Sequence, residues 1–204
     1  MAELIQNISK DGRQTLQNMF DLAKKAESLD QVNLKALSVL GMYYFFKAEY
    51  FLHAEYYQKI LKSNPSAASG YTGLGLNKIV NGEFAAALEL MKKGIELSPF
   101  DPDIQHWYAG IALSNMGLKN YQESLKAIDT CLSKIKAGNF IGFKTAALAY
   151  MGRMDEAGEY LNMYLSMRPA MKTEKDFRKL MWGDSEITTI LFEGLLKAGW
   201  KPEE

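Results

Sequence analysis

The chain copies itself at a fixed interval. Leu40-Gly41 recurs as Leu74-Gly75, Tyr50 as Phe84 and Asn64-Pro65 as Ser98-Pro99, each 34 residues on. A period of this size holds one supersecondary unit, and such a unit cannot bury its apolar face alone. Stacking neighbours is the physical solution, so the interval constrains the fold more than any composition figure does.

The clearest copy spans residues 68–101. Tyr71, Leu74, Gly75 and Lys78 fall at helical spacing, and so do Ala87, Met91 and Gly94. Two amphipathic helices are therefore predicted, joined at Asn81-Gly82 and ended by Pro99, which has no N–H to continue a helix. The copy over 34–67 carries Leu37, Leu40, Gly41, Tyr44, Tyr50, Tyr57 and Ile60, but places His53 where a small residue is expected. A second helix rotated or shifted by one residue, with Ala54 taking that contact, is the expectation there. The third copy, from Pro102, contains Trp107, Gly110, Leu113, Gly117, Tyr121 and Ser124. Aligning Gly117 with Gly82 predicts a turn after Gly117 about two residues longer than its counterpart, an insertion that stacking tolerates. In the fourth, Gly152 to Ala157 marks a turn and Arg168-Pro169 an end, while the first helix is poor in anchors.

Both flanks depart from the period. Leu16, Phe20, Ala23, Ala26 and Leu29 share one helical face, as in the second helix of a further unit. Either residues 1–10 hold its degenerated first helix, or the unit begins before Met1. Beyond Pro169, Thr173 with Asp176 reads as a capping box, and Asp184-Ser185 caps a helix that ends at Gly199. That helix gathers Ile187, Ile190, Leu191, Leu195 and Ala198 on one side, as a terminal cap requires.

These residues and their interval resemble the tetratricopeptide repeat. The resemblance implies an all-α, right-handed superhelical solenoid of helical hairpins with a C-terminal capping helix pair. Its expected division is an N-terminal helix or half-repeat (1–33), four repeats (34–67, 68–101, 102–137 and 138–171) and capping helices (172–204). Three stretches narrow the likeness: Asp101-Pro102-Asp103 through Ala109-Gly110, Ala146-Ala147 through Glu156-Ala157, and Phe192-Glu193-Gly194-Leu195-Leu196-Lys197-Ala198-Gly199. Together they resemble the C-terminal repeat regions of bacterial adenylate cyclase-like proteins and winged-helix transcriptional activators. That resemblance implies a regulatory module of a signalling or transcription protein, although neither a cyclase nor a winged-helix domain lies in this chain.

Composition limits the chemistry. Lys plus Arg and Asp plus Glu number 24 each, without a basic field to attract phosphates, so direct nucleic-acid binding is not expected. A single cysteine, Cys131, excludes an internal disulfide or a thiolate zinc site and suits a reduced cytosolic setting. The longest apolar-rich stretch, 37–46, is about half the length a membrane-spanning helix needs. His53 and His106 lack partners at ligand spacing, Gly73-Leu74-Gly75 lacks the strand and third glycine of a nucleotide loop, and Asp155, Glu156 and Glu159 suit a helix N-terminus. No catalytic residue, metal site or cofactor is expected.

Binding remains. In stacked hairpins the first helices line the inner surface, which places Ser38, Met42 and Phe45, then Thr72, Leu76 and Ile79, then Trp107, Ile111 and Ser114 along a concave groove, with about half of them expected to be buried between helices and Phe45 and Trp107 free to rotate into the core. These residues are neutral, apolar or aromatic, and they suit a peptide or helix of a protein partner. Chaperone-binding tetratricopeptide domains hold a terminal carboxylate with Lys and Asn. Here those positions read Ser38, Met42, Gly73 and Trp107, which disfavours that role. The alternative is a small-molecule-sensing domain that controls an output domain. An exposed repeat edge also leaves a homodimer open.

Overall fold

The computed structural model describes residues 10–135 and 137–203. Among them lie eleven helices and no strand: α1 (Lys10–Leu29), α2 (Leu34–Phe46), α3 (Tyr50–Ser63), α4 (Ala68–Val80), α5 (Phe84–Leu97), α6 (Ile104–Gly117), α7 (Tyr121–Lys134), α8 (Gly138–Tyr150), α9 (Met154–Ser166), α10 (Glu174–Leu180) and α11 (Glu186–Lys197). Helices α2 to α9 form four antiparallel hairpins, each second helix packing on its own first helix, and α3, α5 and α7 also on the first helix of the next hairpin. The first helices also touch in sequence, α2 to α4 to α6 to α8, and so form a continuous inner layer. The fold is an all-α helical-hairpin solenoid. The expected first helix of the N-terminal unit lies outside the described residues.

Each hairpin turns through three residues, and the middle one is left-handed every time: Ala48 (φ 57°), Gly82 (φ 76°), Lys119 (φ 61°) and Gly152 (φ 76°). Each turn closes with the same pair of bonds, exemplified by Gly82 N–H to Ile79 C=O at 3.1 Å and Glu83 N–H to Lys78 C=O at 2.9 Å. This left-handed closure satisfies carbonyls that the helix end would otherwise orphan. The turn after Gly117 is therefore not longer than the others. Lys119, not Gly117, is the equivalent of Gly82. Gly117 is glycine because the Phe84 ring lies 2.3 Å from where its Cβ would stand. The extra residues sit before α6, in the 98–103 connection, and within α6 itself.

His53 fills its slot without a shift of α3. Tyr50 and Phe84 start their helices at the same point of the repeat, so His53 stands where Ala87 stands one unit later. It is fully buried, with Nδ1 3.0 Å from the Gly41 carbonyl and Nε2 3.0 Å from the Gly73 carbonyl. The neutral ring has a single N–H, so it donates to one of these carbonyls and lies against the other, placing α3 between α2 and α4. Space comes from the two glycines, since a Cβ on Gly73 would sit 2.2 Å from the Tyr57 ring. Burial holds the His53 pKa below its ordinary value, although both carbonyl bonds act in the opposite direction.

Two apolar clusters result. One joins Ala23 of α1 to Leu37, Leu40, Tyr56, Tyr57 and Ile60. The other runs from Ile79 to Trp200 and takes in α11. Helix α1 contributes Ala23 and Phe20, whose ring is 4.3 Å from Tyr43. Leu29 departs from its expected face: it ends the helix and is 81% exposed. Both C-terminal caps form, with Thr173 and Asp176 in a reciprocal capping box and the Ser185 side chain accepting from the Thr188 N–H.

Candidate binding groove

The inner layer places the expected groove residues in two groups. Ser38, Met42, Leu76 and Ile111 are half-buried on the inner helices. Phe45, Thr72, Ile79, Trp107 and Ser114 are buried. Phe45 turns into its own hairpin, with its ring 5.0 Å from His53 and 5.5 Å from Tyr50. The Thr72 methyl occupies the space opened by Gly94, 2.3 Å from that residue's missing Cβ. Ile79 is part of the larger core, and Trp107 is 8% exposed. A large apolar side chain at the edge of an interface gains most by rotating out of water.

Helix α11 has the less expected position. It closes the array from inside, packing along α8, across α6 and against α4. At its N-terminus Glu186 Oε2 lies 2.6 Å from the point where Gly82 would carry a Cβ. In its middle the Ile190 carbonyl accepts from Tyr150 Oη at 2.8 Å. Near its C-terminus Gly194 meets Ala146 so closely that a Cβ would stand 2.9 Å from the Ala146 Cα. The tail beyond folds back, with Trp200 packing on Phe177 and Phe192.

Burial follows from this seat. Ile187, Thr188, Leu191, Phe192, Gly194 and Leu195 are all buried, more than a one-sided cap requires. Ile187, Leu191 and Leu195 are at most 1% exposed. At about 1.5–3 kcal/mol for each such side chain, α11 is a fixed part of the core. Helix α8, enclosed by α7, α9 and α11, buries ten of its 13 residues, including Ala146, Ala147, Leu148 and Ala149. The sequence carried a signal for this: Gly138–Tyr150 lacks a continuous polar face, and a helix apolar all round is enclosed. Read as a lack of anchors, the pattern concealed its meaning.

Several polar side chains of the inner helices are turned inward. Asn77 Nδ2 donates to the Tyr50 carbonyl at 2.7 Å, and its Oδ1 accepts from Asn81 Nδ2 at 3.1 Å. Asn115 Nδ2 donates to the Ile111 carbonyl at 3.0 Å and Ser114 Oγ to the Gly110 carbonyl at 2.8 Å. Lys78 is paired with Glu83 at 2.6 Å.

Reactive chemistry does not converge here. Among the described residues, no group of three or more His, Cys, Asp or Glu side chains is placed to hold a metal ion. Burial pushes the Cys131 thiol up to about 12, far from thiolate reactivity. Gly73 and Gly75 lie inside α4, and Glu156 is engaged with Arg153 at 2.6 Å. An open cavity of about 360 Å³ lies beside α9, lined by Leu161, Arg168, Trp200 and Lys201 among others, and none of the expected groove residues reaches it.

No family model matches the chain, and no curated protein matches it. Solved structures do. MamA is 21% identical, with 78% of this chain and 92% of that one covered and a TM-score of 0.56. TTC0263, a thermophilic TPR protein in Thermus thermophilus, is 15% identical, with 87% and 89% covered and a TM-score of 0.63. YrrB, described as a TPR protein with an unusual peptide-binding site, is 14% identical, with 87% and 92% covered and a TM-score of 0.56. At these identities the likeness is one of fold, and that fold is the tetratricopeptide-type solenoid.

Proposed function

We propose that this chain is a non-enzymatic interaction scaffold whose inner groove holds a peptide or helix of a protein partner. The observation that carries the reading is α11, an apolar helix already seated along the inner helices. YrrB, a neighbour in fold, is described as having an unusual peptide-binding site, which supports the same use of the architecture. The balanced charge supports a protein partner over nucleic acid. Among the described residues no helix is long and apolar enough to cross a membrane. The resemblance of the tail to bacterial cyclase-like and activator proteins supports a place as a regulatory module in signalling or transcription.

Site-specific photocrosslinking in cells tests the groove. Probes at Met42 and Leu76 are expected to capture a partner that a probe at the outer residue Gln58 does not. Capture from Gln58 alone would move the binding surface to the outer face and overturn the reading.

A further inference from the structure

We infer that the cavity beside α9 is a binding site for a small carboxylate with an apolar body, an alkyl or aryl monoacid. The cavity lies apart from the inner groove, and the inference stands whether or not the groove holds a peptide.

A buried cation at an unusual place in the repeat is the first support. Where the first two hairpins end in Asn64-Pro65 and Ser98-Pro99, the fourth ends in Arg168-Pro169. Asn64 is exposed and Ser98 half-buried, whereas Arg168 is 8% exposed and lines the cavity. Enclosing a guanidinium where a short neutral side chain would serve costs desolvation, and such groups are seldom buried unless they are held. Here Nη2 donates to Asn139 Oδ1 at 2.6 Å, and the guanidinium lies 5.5 Å from the centre of the Tyr164 ring. Both groups are neutral, so they fix the direction of the guanidinium without opposing its charge.

The second support is the wall that completes the cavity. Beyond α11 the chain turns back at Gly199 (φ 107°), a conformation that favours glycine. The Trp200 N–H donates to the Leu195 carbonyl at 3.0 Å, and its ring packs on Phe177 and Phe192. Further on, the Glu203 N–H donates to the Lys172 carbonyl at 2.8 Å. The tail is therefore pinned on both sides of Lys201, which it carries into the lining. The enclosed space of about 360 Å³ falls at the small end of the range for ligand pockets, about 300–1,000 Å³.

The lining selects the ligand. Arg168, Lys172 and Lys201 stand beside one carboxylate, Glu203, which engages Lys172 at 3.3 Å. This balance favours an anion. Leu161, Leu165, Met171 and Trp200 supply apolar walls for an uncharged body. Helix α9 ends at Ser166, so the negative end of its dipole adjoins the cavity and opposes a dianion more than a monoanion. A guanidinium donates charge-assisted hydrogen bonds to a carboxylate, and these strengthen where apolar walls exclude water. A single carboxylate on a hydrocarbon body meets all of these requirements, whereas inorganic phosphate meets the charge and leaves the walls unused.

The test titrates hexanoate, benzoate and phenylacetate into the intact chain, beside hexanamide, benzamide, phenylacetamide and inorganic phosphate, by calorimetry and thermal shift. At least one acid is expected to bind and raise the melting temperature, with its amide at least about tenfold weaker. Lys201→Glu, at an exposed position, is expected to weaken that acid at least about tenfold and leave the melting temperature of the free chain unchanged. Arg168→Gln is expected to weaken it as much, and if that variant does not fold, Lys201→Glu carries the test. Asn162→Trp, from the exposed rim, fills the cavity and abolishes binding. Lys62→Glu makes the same charge change on α3, far along the chain, and leaves affinity unchanged. Failure of every acid to bind, or acids and amides binding alike, would overturn the site. An equal loss on Lys62→Glu would reduce the attraction to net charge, and phosphate binding ahead of every acid would overturn the carboxylate class. If Arg168→Gln lowers stability while Lys201→Glu leaves acid affinity intact, Arg168 serves only to fasten Asn139 and the site falls.

Discussion

The two ends of the solenoid solve one packing problem with different side chains. Around α2 and α3 the interior is aromatic and holds a polar ring: Tyr44 stacks on Tyr56 at 5.5 Å, Phe45 leans on His53, and His53 lies between two backbone carbonyls. Around α8 rings are buried too, Phe140, Phe143 and Tyr164 among them, but the stretch of α8 that meets α11 is small and aliphatic, with four consecutive residues from Ala146 to Ala149 fully buried. The difference tracks what lies on the groove side. Helix α2 is not among the helices α11 packs closely against, and its large rings turn toward α1 and α3 while Ser38 and Met42 stay half-buried. Helix α8 has α11 pressed against it, and only alanine facing glycine lets two helix backbones approach as Ala146 and Gly194 do. A shared period thus fixes the hairpin, while the covering of each inner helix selects its composition.

The largest effect expected from breaking this contrast is at Leu191. Leu191→Asp puts an unpaired charge into the groove core and is expected to destabilise by more than about 4 kcal/mol. Hydrogen exchange should then show lost protection in α6, α8 and α11 and retained protection in α2 and α3, because repeats couple chiefly to neighbours. Equal loss at both ends would show one cooperative unit and dissolve the contrast.

At the other end, His53→Ala removes a fully buried ring and leaves the Gly41 and Gly73 carbonyls without it. A loss of about 3 kcal/mol in chemical denaturation is expected, confined by exchange to α1 through α4. A smaller effect of opposite sign is expected at the turns. Ala48→Gly and Lys119→Gly relieve left-handed strain and should each stabilise by about 0.5–1 kcal/mol, measured as a raised denaturation midpoint. A lowered midpoint would show that the side chains contribute more than their conformation costs.

The subtlest test is pH. Because burial holds the His53 pKa below 6.5, the unfolded chain binds a proton there that the folded chain does not. The stability contribution is therefore present above pH 6.5 and is lost as pH falls through 6.5 toward the lowered value. Melting curves from pH 8 downward should show this slope in the wild type and not in His53→Asn. An unchanged slope in the variant would assign it to other groups.

Much of the architecture was legible because local rules carry it. The 34-residue spacing, Asn81-Gly82, Pro99, the Thr173 capping box and the Ser185 cap each act within a few residues of themselves. Legibility failed where one residue type serves two purposes. Gly117 looked like a turn glycine but makes room for Phe84, while the true turn residue is a lysine that tolerates φ 61°. His53 looked like a displaced register and instead sits between carbonyls 12 and 20 residues away, donating to one of them. Among the expected groove residues, Ser38, Met42, Leu76 and Ile111 are half-buried and Phe45, Thr72, Ile79, Trp107 and Ser114 are buried, and spacing alone, which left Phe45 and Trp107 open to rotating inward, did not separate the two groups. Side-chain rotation depends on the neighbouring helix, which a single helix's spacing does not contain.

By itself the sequence determined the hairpins, their order and their stacking, because helix periodicity, turns and caps are short-range. Only the tertiary structure decided where α11 lies. An amphipathic helix with Ile187, Leu191 and Leu195 on one face satisfies a terminal cap and a filled groove equally well, and the choice is made by which surface offers a close fit. Ala146 against Gly194, together with Tyr150 Oη on the Ile190 carbonyl, supplies that fit on α8.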